Sequence, residues 1–299
     1  MPGKKLTHLF RVKPGARVRL RHYDTAWAGT KEMRKLGEDR LKQDAQELIR
    51  QNLDRLAGAQ DLLWASDKYA VLIVLQAMDA AGKDGLIKHV MSGVNPQGCQ
   101  VVAFKRPADE DVEHDFLWRP SRYLPPRGRI GIFNRSYYEE VLVVRVHPEW
   151  LERQKLPRAQ YGPALWQERY EDINQFEKHL VRNGTVILKF FLHVSKKEQK
   201  RRLLERLDNP RKHWKFSEAD LAERAHWHEY MVAYQDALSA TSTKHAPWHI
   251  IPADHKWVAR WLVSEILTKT IQGLDLEFPR LTKDQEATLM KAKRQLARE

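Results

Sequence analysis

Cysteine is nearly absent. Cys99 is the single one in 299 residues, so no disulfide can form within the chain. Uninterrupted apolar runs are short, and none approaches the roughly 18 residues that a membrane-spanning helix needs. The opening Met1-Pro2-Gly3-Lys4-Lys5-Leu6 lacks the apolar core of a signal peptide. A Cys/His cluster with metal-hydrolase spacing, the G-x-S-x-G of serine hydrolases and the N-K-x-D of guanine-specific GTPases are all missing. His226 and His228 stand two residues apart in a helical stretch, where their side chains diverge and cannot share a zinc ion. These absences lead to the expectation of a cytoplasmic enzyme with no membrane partner.

Positive charge, by contrast, is plentiful. Lys and Arg number 52 against 39 Asp and Glu, a net charge of +13. That balance calls for a polyanionic partner without choosing among nucleic acid, anionic lipid and inorganic polyphosphate. A hydrophobic fraction of 42% is ordinary for a globular protein, and the length suffices for one large core with an appendage or for two domains. Most of the 10 Trp are expected in the core or at interfaces, with some left to stack on a base.

The chain is organised around Tyr69 to Gly85. An apolar, β-branched run to Leu75 predicts a buried strand. A turn of small residues follows, and then a helix from Gly85. Strand, loop and helix N-terminus in that order form a phosphate cradle, because the helix start offers unpaired N–H groups and the positive end of its dipole. Gly82 lets the backbone approach an anion, and Lys83 adds a point charge. The match to G-x-x-x-x-G-K-[ST] is imperfect: Ala77 replaces the first Gly, and Asp84 replaces the metal-binding Ser/Thr. A plain strand-to-helix turn containing Gly-Lys is the competing reading. Carboxylates beside a phosphate repel it unless a cation lies between them, which makes Asp79 the first candidate for a Mg²⁺ ligand.

Residues 1–30 carry scattered Lys and Arg among Pro and Gly, and predict an extended basic arm, either a solvated tail or an interface element. A long amphipathic helix is expected over 31–58, closed by Gly58. Further strands are expected at 98–104, 130–133, 185–193 and 248–252. The second ends in Lys105-Arg106, cations at a strand C-terminus where ligands of open α/β sheets lie. A helix over 109–119, ended by Pro120, carries Arg119, either an anion contact or a salt-bridged surface residue. The strand at 130–133 delivers Asn134 and Arg135 at the Walker B position, with Asn in place of the usual Asp. Ser136 is placed to cap a helix over 137–146, and Glu139 is placed either to complete a capping box or to meet a ligand. Helices are expected at 160–181, from Ser195, at 217–240 and from Asp254 to Ile271. Between Lys196 and Lys215 nine Lys/Arg face three acidic residues. This basic, Pro-broken excursion predicts a mobile lid, with a basic surface helix as the alternative.

Five apolar strands alternating with helices predict an α/β fold with three α/β/α layers, a mainly parallel five-stranded sheet and a helical lid, in the manner of a P-loop kinase. The expected divisions are the arm (1–30), a kinase domain (31–275, lid about 200–218) and a charged tail (276–299).

Longer motifs go further. Asp79-Ala80-Ala81-Gly82-Lys83-Asp84-Gly85, Met91 to Gly98, His114 to Arg119, Ile132 to Glu139, Lys212-His213-Trp214-Lys215-Phe216 and Ile251-Pro252-Ala253-Asp254 together resemble the polyphosphate kinase 2 family. The likeness runs in matching order from about residue 10 to about residue 275 and is strongest to the family's third class, associated with both AMP and ADP as acceptors. It implies phosphoryl transfer between inorganic polyphosphate and adenine nucleotides, with guanine nucleotides as a further option. Mg²⁺ is the implied cofactor, with Mn²⁺ as a substitute, and a homo-oligomer the implied assembly. It further implies metal binding by Asp79, phosphate binding by Lys83 beside Gly82, and catalysis by Arg135. Asn134 departs from the Asp of many members, yet with Asp79, Lys83 and Arg135 it makes up the candidate catalytic set. Lys105, Arg119 and Glu139 are then candidate nucleotide contacts, and Arg202, Arg206, Lys212 and Lys215 candidate polyphosphate grips. The rival readings are an ATP-dependent nucleotide kinase of the same fold and, more weakly, a non-catalytic nucleic-acid-binding protein.

Overall fold

The computed structural model describes residues 6–157 and 163–299. Its elements in chain order are α1 (Lys31–Arg34), α2 (Glu38–Ser66), β1 (Ala70–Gln76), α3 (Lys83–Val90), β2 (Cys99–Ala103), α4 (Asp109–Val112), α5 (Trp118–Ser121), β3 (Ile130–Asn134), α6 (Val143–Val146), α7 (Glu149–Arg153), α8 (Pro163–Arg182), β4 (Thr185–His193), α9 (Lys196–Asp208), α10 (Glu218–Ala225), α11 (Trp227–Thr241), β5 (Trp248–Pro252), α12 (Lys256–Gln272) and α13 (Lys283–Leu296). The strands form one sheet in the order β2-β3-β1-β4-β5, and every pairing is parallel. All seven residues of β1 are buried, which explains its unbroken apolar run: a central parallel strand is covered on both faces. The chain leaves β1 for the edge at β2, returns through β3, and then crosses to β4 on the other side of β1. That reversal places a crevice at the C-terminal end of β1.

Several expected boundaries move. The first long helix runs to Ser66, with Gly58 inside it and Asp67 closing it in a left-handed conformation. A mid-helix glycine costs about 1 kcal/mol. Burial of Leu41, Leu56 and Leu63, on a helix that packs along α12, contributes about 1.5–3 kcal/mol each and outweighs it. The expected helix over 109–119 is two single turns, with Pro120 inside the second. Proline is tolerated there because first-turn N–H groups have no intrahelical partner. The stretch 137–146 is a 3₁₀ turn over 137–141 followed by α6. The helix over 217–240 breaks at His226, between α10 and α11. The first residues expected in the 160–181 helix lie outside the described residues.

The basic N-terminal segment packs rather than floats. Leu6, Phe10, Val12, Val18 and Leu20 are buried in the core. The Val12 N–H donates to Trp248 O at 2.8 Å, and Arg11 bridges His249 antiparallel, so this segment covers the open edge of β5. Cys99 begins β2, and burial pushes its thiol up to about 11. Helix α13 has no buried residue. Among the described residues no helix is long and apolar enough to cross a membrane.

Candidate active site

The phosphate loop spans the gap between β1 and α3. Gly82, the N-cap of α3, has φ +109°, a conformation that a side chain resists. Ala80 also lies in the left-handed region, at φ +59°, and there the methyl group makes the conformation cost on the order of 1 kcal/mol. Helix α9 holds this turn from below. Arg202 donates to Ala80 O, Ala81 O, Ala253 O and Asp254 O at 2.5–3.3 Å, and Gln199 Nε2 donates to Asp79 O at 3.0 Å.

Lys83 is buried at the start of α3, with Nζ donating to Ala77 O at 3.0 Å. Burial pushes its ammonium below the usual lysine range, against the pull of Asp79. Burial alone would raise the Asp79 carboxyl. The Lys83 ammonium and the Arg135 guanidinium overcome that and hold it below the usual range. Asp79 is therefore an anion in a cationic surround.

The end of β3 supplies the facing groups. Asn134 Nδ2 donates to Asp84 Oδ1 at 2.8 Å. Arg135, in the left-handed region at φ +63°, donates to Asp79 Oδ1 at 2.6 Å and lies 3.6 Å from Glu139 Oε2. Glu139 raises the Arg135 pKa, as does Asp79, against burial. The capping-box alternative for Glu139 does not hold: Ser136 Oγ accepts from Tyr138 N–H at 3.1 Å, and Glu139 turns to Arg135. Below this segment the hydroxyls of Tyr137 and Tyr138 each donate to Glu177 Oε1 at 2.9 Å. Lys189, wholly buried on β4, donates to Glu177 Oε2 at 2.6 Å, the Thr241 backbone O at 2.7 Å and the Tyr138 hydroxyl Oη at 2.9 Å.

A cleft of about 520 Å³ opens over the loop. Asp79, Gly82, Lys83, Asn134 and Arg135 line its floor, and Lys105 stands at the mouth of β2. Arg202, Arg206, Lys212 and Lys215 also line it. The lid residues differ in freedom. Arg202 is buried and committed to loop carbonyls. Arg206 pairs with Asp220 at 2.8 Å, and Lys212 pairs with Glu205. A second cavity of about 210 Å³ adjoins, sharing Phe104, Lys105, Arg106 and Arg135 with the cleft and adding Arg119, Glu139 and Trp150. Arg119 is salt-bridged to Asp111 at 3.2 Å and donates to Lys105 O, as the salt-bridged reading of it expects, and it lines this cavity. The structure thus gathers every sequence-predicted site residue along two joined cavities.

Two cations at the cleft were not singled out from sequence, Lys256 and Arg260 of α12. They lie one helical turn apart just beyond the C-terminus of β5, and the rule that ligands lie past strand ends would have found them. The Lys256 ammonium is pushed below the usual range by burial and by Arg202. Gln199 was missed because nothing in a helical glutamine signals a bond to a distant loop.

The chemistry of the donor set fits a hard divalent cation. Asp79 is an ionised carboxylate at the phosphate loop, and Mg²⁺ is commonly held by one or two carboxylates together with substrate phosphates. Among the described residues no group of three His, Cys, Asp or Glu side chains is arranged to hold a metal by itself. An ion here would therefore depend on the substrate for the rest of its shell.

A lysine-bearing loop after the central strand, at the switch point of an all-parallel sheet and beneath a basic cleft, defines the P-loop kinase class. Comparison with known proteins narrows the class. Residues 39–279 match the family model described as Polyphosphate kinase 2 (PPK2). The chain is 52% identical over 256 residues to an ADP-polyphosphate phosphotransferase of Rhodopseudomonas palustris, covering 85% of this chain and 89% of that protein. It is 44% identical over 270 residues to an AMP/ADP-polyphosphate phosphotransferase of Meiothermus ruber, covering 90% and 94%. The crystal structure of a polyphosphate kinase 2 from Arthrobacter aurescens superposes with a TM-score of 0.83 at 38% identity, over 97% of each chain. The protein belongs to the polyphosphate kinase 2 family.

Proposed function

We propose that this protein transfers phosphoryl groups between inorganic polyphosphate and adenine nucleotides, AMP to ADP and ADP to ATP, in either direction. The observation that carries this reading is the junction at Arg135, whose side chain lines both the basic cleft and the smaller cavity. A polyanion fits the cleft, which is rich in Lys and Arg. A nucleotide fits the smaller cavity, where Phe104, Phe116 and Trp150 offer apolar surface beside Lys105 and Arg106. The two meet at Arg135, with Lys83 on the cleft side, where charge would move. The names of the two relatives, one an ADP and one an AMP/ADP phosphotransferase, support both acceptors.

In the simplest route an oxygen of the nucleotide's terminal phosphate attacks the end phosphorus of polyphosphate in line. The bond from that phosphorus to its bridging oxygen breaks, and a chain one phosphate shorter leaves. Lys83 and the N–H groups at the start of α3 hold the transferred group, and Arg135 neutralises charge between donor and acceptor. Asp79 would hold Mg²⁺, which when bound offsets phosphate charge. Asn134 fixes the Asp84 carboxylate at the edge of the cleft through its hydrogen bond. Arg206, Lys212 and Lys215 guide the chain, and the lid keeps water from the reacting phosphate.

The decisive experiment supplies AMP or ADP with polyphosphate and no ATP. Formation of ADP and ATP is the expected result; a requirement for ATP as donor would favour an ordinary nucleotide kinase. GMP and GDP in parallel report base preference. Salt-sensitive nucleic-acid binding without phosphotransfer would favour the non-catalytic reading. Homo-oligomeric assembly belongs to the same proposal, supported by the exposed Phe278, Leu281, Leu289 and Met290 near the C-terminus, and sedimentation tests it.

A further inference from the structure

We infer that Gln199 is a positioning residue that ties helix α10, which directly follows the lid segment, to the phosphate loop. Its side chain is buried on α9, and both ends of its amide are used. Nε2 donates to Asp79 O at 3.0 Å, and Oε1 accepts from Arg224 of α10 at 2.7 Å. Arg224 is fixed in turn by donating to Lys196 O at 2.8 Å. A continuous path runs from α10 to the loop through one side chain.

The chemistry of the ends specifies the middle. A guanidinium only donates, and a backbone carbonyl accepts. The side chain between them must accept at one end and donate at the other, which a primary amide does. Glutamate would keep the Arg224 contact and lose the donor to Asp79 O, setting two acceptors face to face. Leucine would leave that carbonyl without its partner in a buried place. The amide orientation therefore follows from Arg224.

The loop at the far end is under strain. Ala80, directly after Asp79, is a non-glycine residue in the left-handed region, and such conformations persist where their surroundings over-determine them. Gln199 and Arg202, three positions apart on α9, grip the consecutive carbonyls of Asp79, Ala80 and Ala81. Arg202 is anchored within the body, to Ala253 O and Asp254 O. Gln199 is instead anchored to α10. The peptide at Asp79 sets the direction of the carboxylate that pairs with Arg135 at 2.6 Å, so the placement of α10 is felt where the nucleotide and polyphosphate sites join.

The inference rests on the reading of Asp79 and Lys83 as the reacting centre, and the test separates the two. Hydrogen exchange of the backbone amides of 79–84 is measured in the intact protein for wild type, Arg224→Met and Gln199→Leu, together with kcat and KM for polyphosphate. Arg224 does not touch the loop. Arg224→Met is expected to speed exchange at 79–84 severalfold and to lower kcat about threefold to tenfold, with KM for polyphosphate within twofold. Gln199→Leu is expected to do the same more strongly, and the double variant to be no worse than Gln199→Leu alone, because both cut one path. Unchanged loop exchange in Arg224→Met, or additive losses in the double variant, would overturn the inference even where Gln199→Leu is merely unstable. Lys83→Ala serves as the separate control: wild-type turnover in that variant would sink the site reading while leaving the exchange result to stand.

Discussion

Two buried lysines on neighbouring parts of the sheet use positive charge in opposite ways. Lys189 sits in the middle of β4 and gives its three N–H bonds to Glu177, Tyr138 and Thr241. Lys83 begins α3 just past β1 and, among the described residues, donates one hydrogen bond, to Ala77 O. Burial pulls both ammonium groups below the usual range. Around Lys189 the charge is answered inside the protein, so the region is closed and its value lies in holding Tyr137, Tyr138 and the Arg135 segment in place. Around Lys83 the charge is answered in part and faces a cleft, so the region is open, as the proposed phosphate contact requires. Burial alone does not tell structure from function; the count of satisfied donors does.

The contrast is broken most readily at Lys83. Lys83→Ala is expected to lower kcat/KM at least about 10³-fold, roughly 4 kcal/mol of transition-state stabilisation. Its melting temperature should stay within a few degrees of wild type. Phosphotransfer assays beside calorimetry check this, and a parallel collapse of folding would erase the distinction. At Lys189 the order reverses. Lys189→Met strands a buried carboxylate and should cost about 3–5 kcal/mol of stability in denaturant titrations, while Lys189→Met with Glu177→Leu should recover most of it. A double variant no more stable than the single one would show that the closed region is not a self-contained pair.

A smaller effect comes from His249, whose ring lies 3.4 Å from Lys189 O. Burial pushes its pKa down to about 4. A histidine held neutral in the fold binds a proton more readily when unfolded, so its contribution is fully present above about pH 6.5 and is lost as pH falls through 4. Across that window up to about 3 kcal/mol should disappear, and His249→Gln should flatten this part of the pH–stability curve. The smallest changes belong to the open side. Lys256→Ala and Arg260→Ala should each raise KM for polyphosphate a few-fold, about 0.5–1 kcal/mol, with the difference shrinking as salt is added.

The residues of the open region were the more legible in sequence. Lys83, Asp79 and Arg135 lie at strand ends, where apolar runs stop and polar residues begin, and that switch marks both the fold and the site. The parallel sheet was readable for the same reason. The closed region was not. Glu177 looks like any helical glutamate, and Lys189 interrupts an apolar strand without a hint that Glu177 and Tyr138 lie beside it in space. Helix limits failed where packing overrode local preference, as at Gly58, whose cost is small against the leucines around it. The N-terminal segment was half legible: its composition left a solvated tail and an interface element both open, and Leu6, Phe10, Val12, Val18 and Leu20 between its basic residues fasten it to the core.

Cys99 has a practical consequence. Its thiol is half-buried, and burial pushes it up to about 11, so at neutral pH it is held almost wholly in the unreactive protonated form. A cysteine introduced at the exposed Trp214 would then take a maleimide dye or spin label nearly alone. The native chain is ready for single-site spectroscopy of its lid without first being stripped of competing thiols.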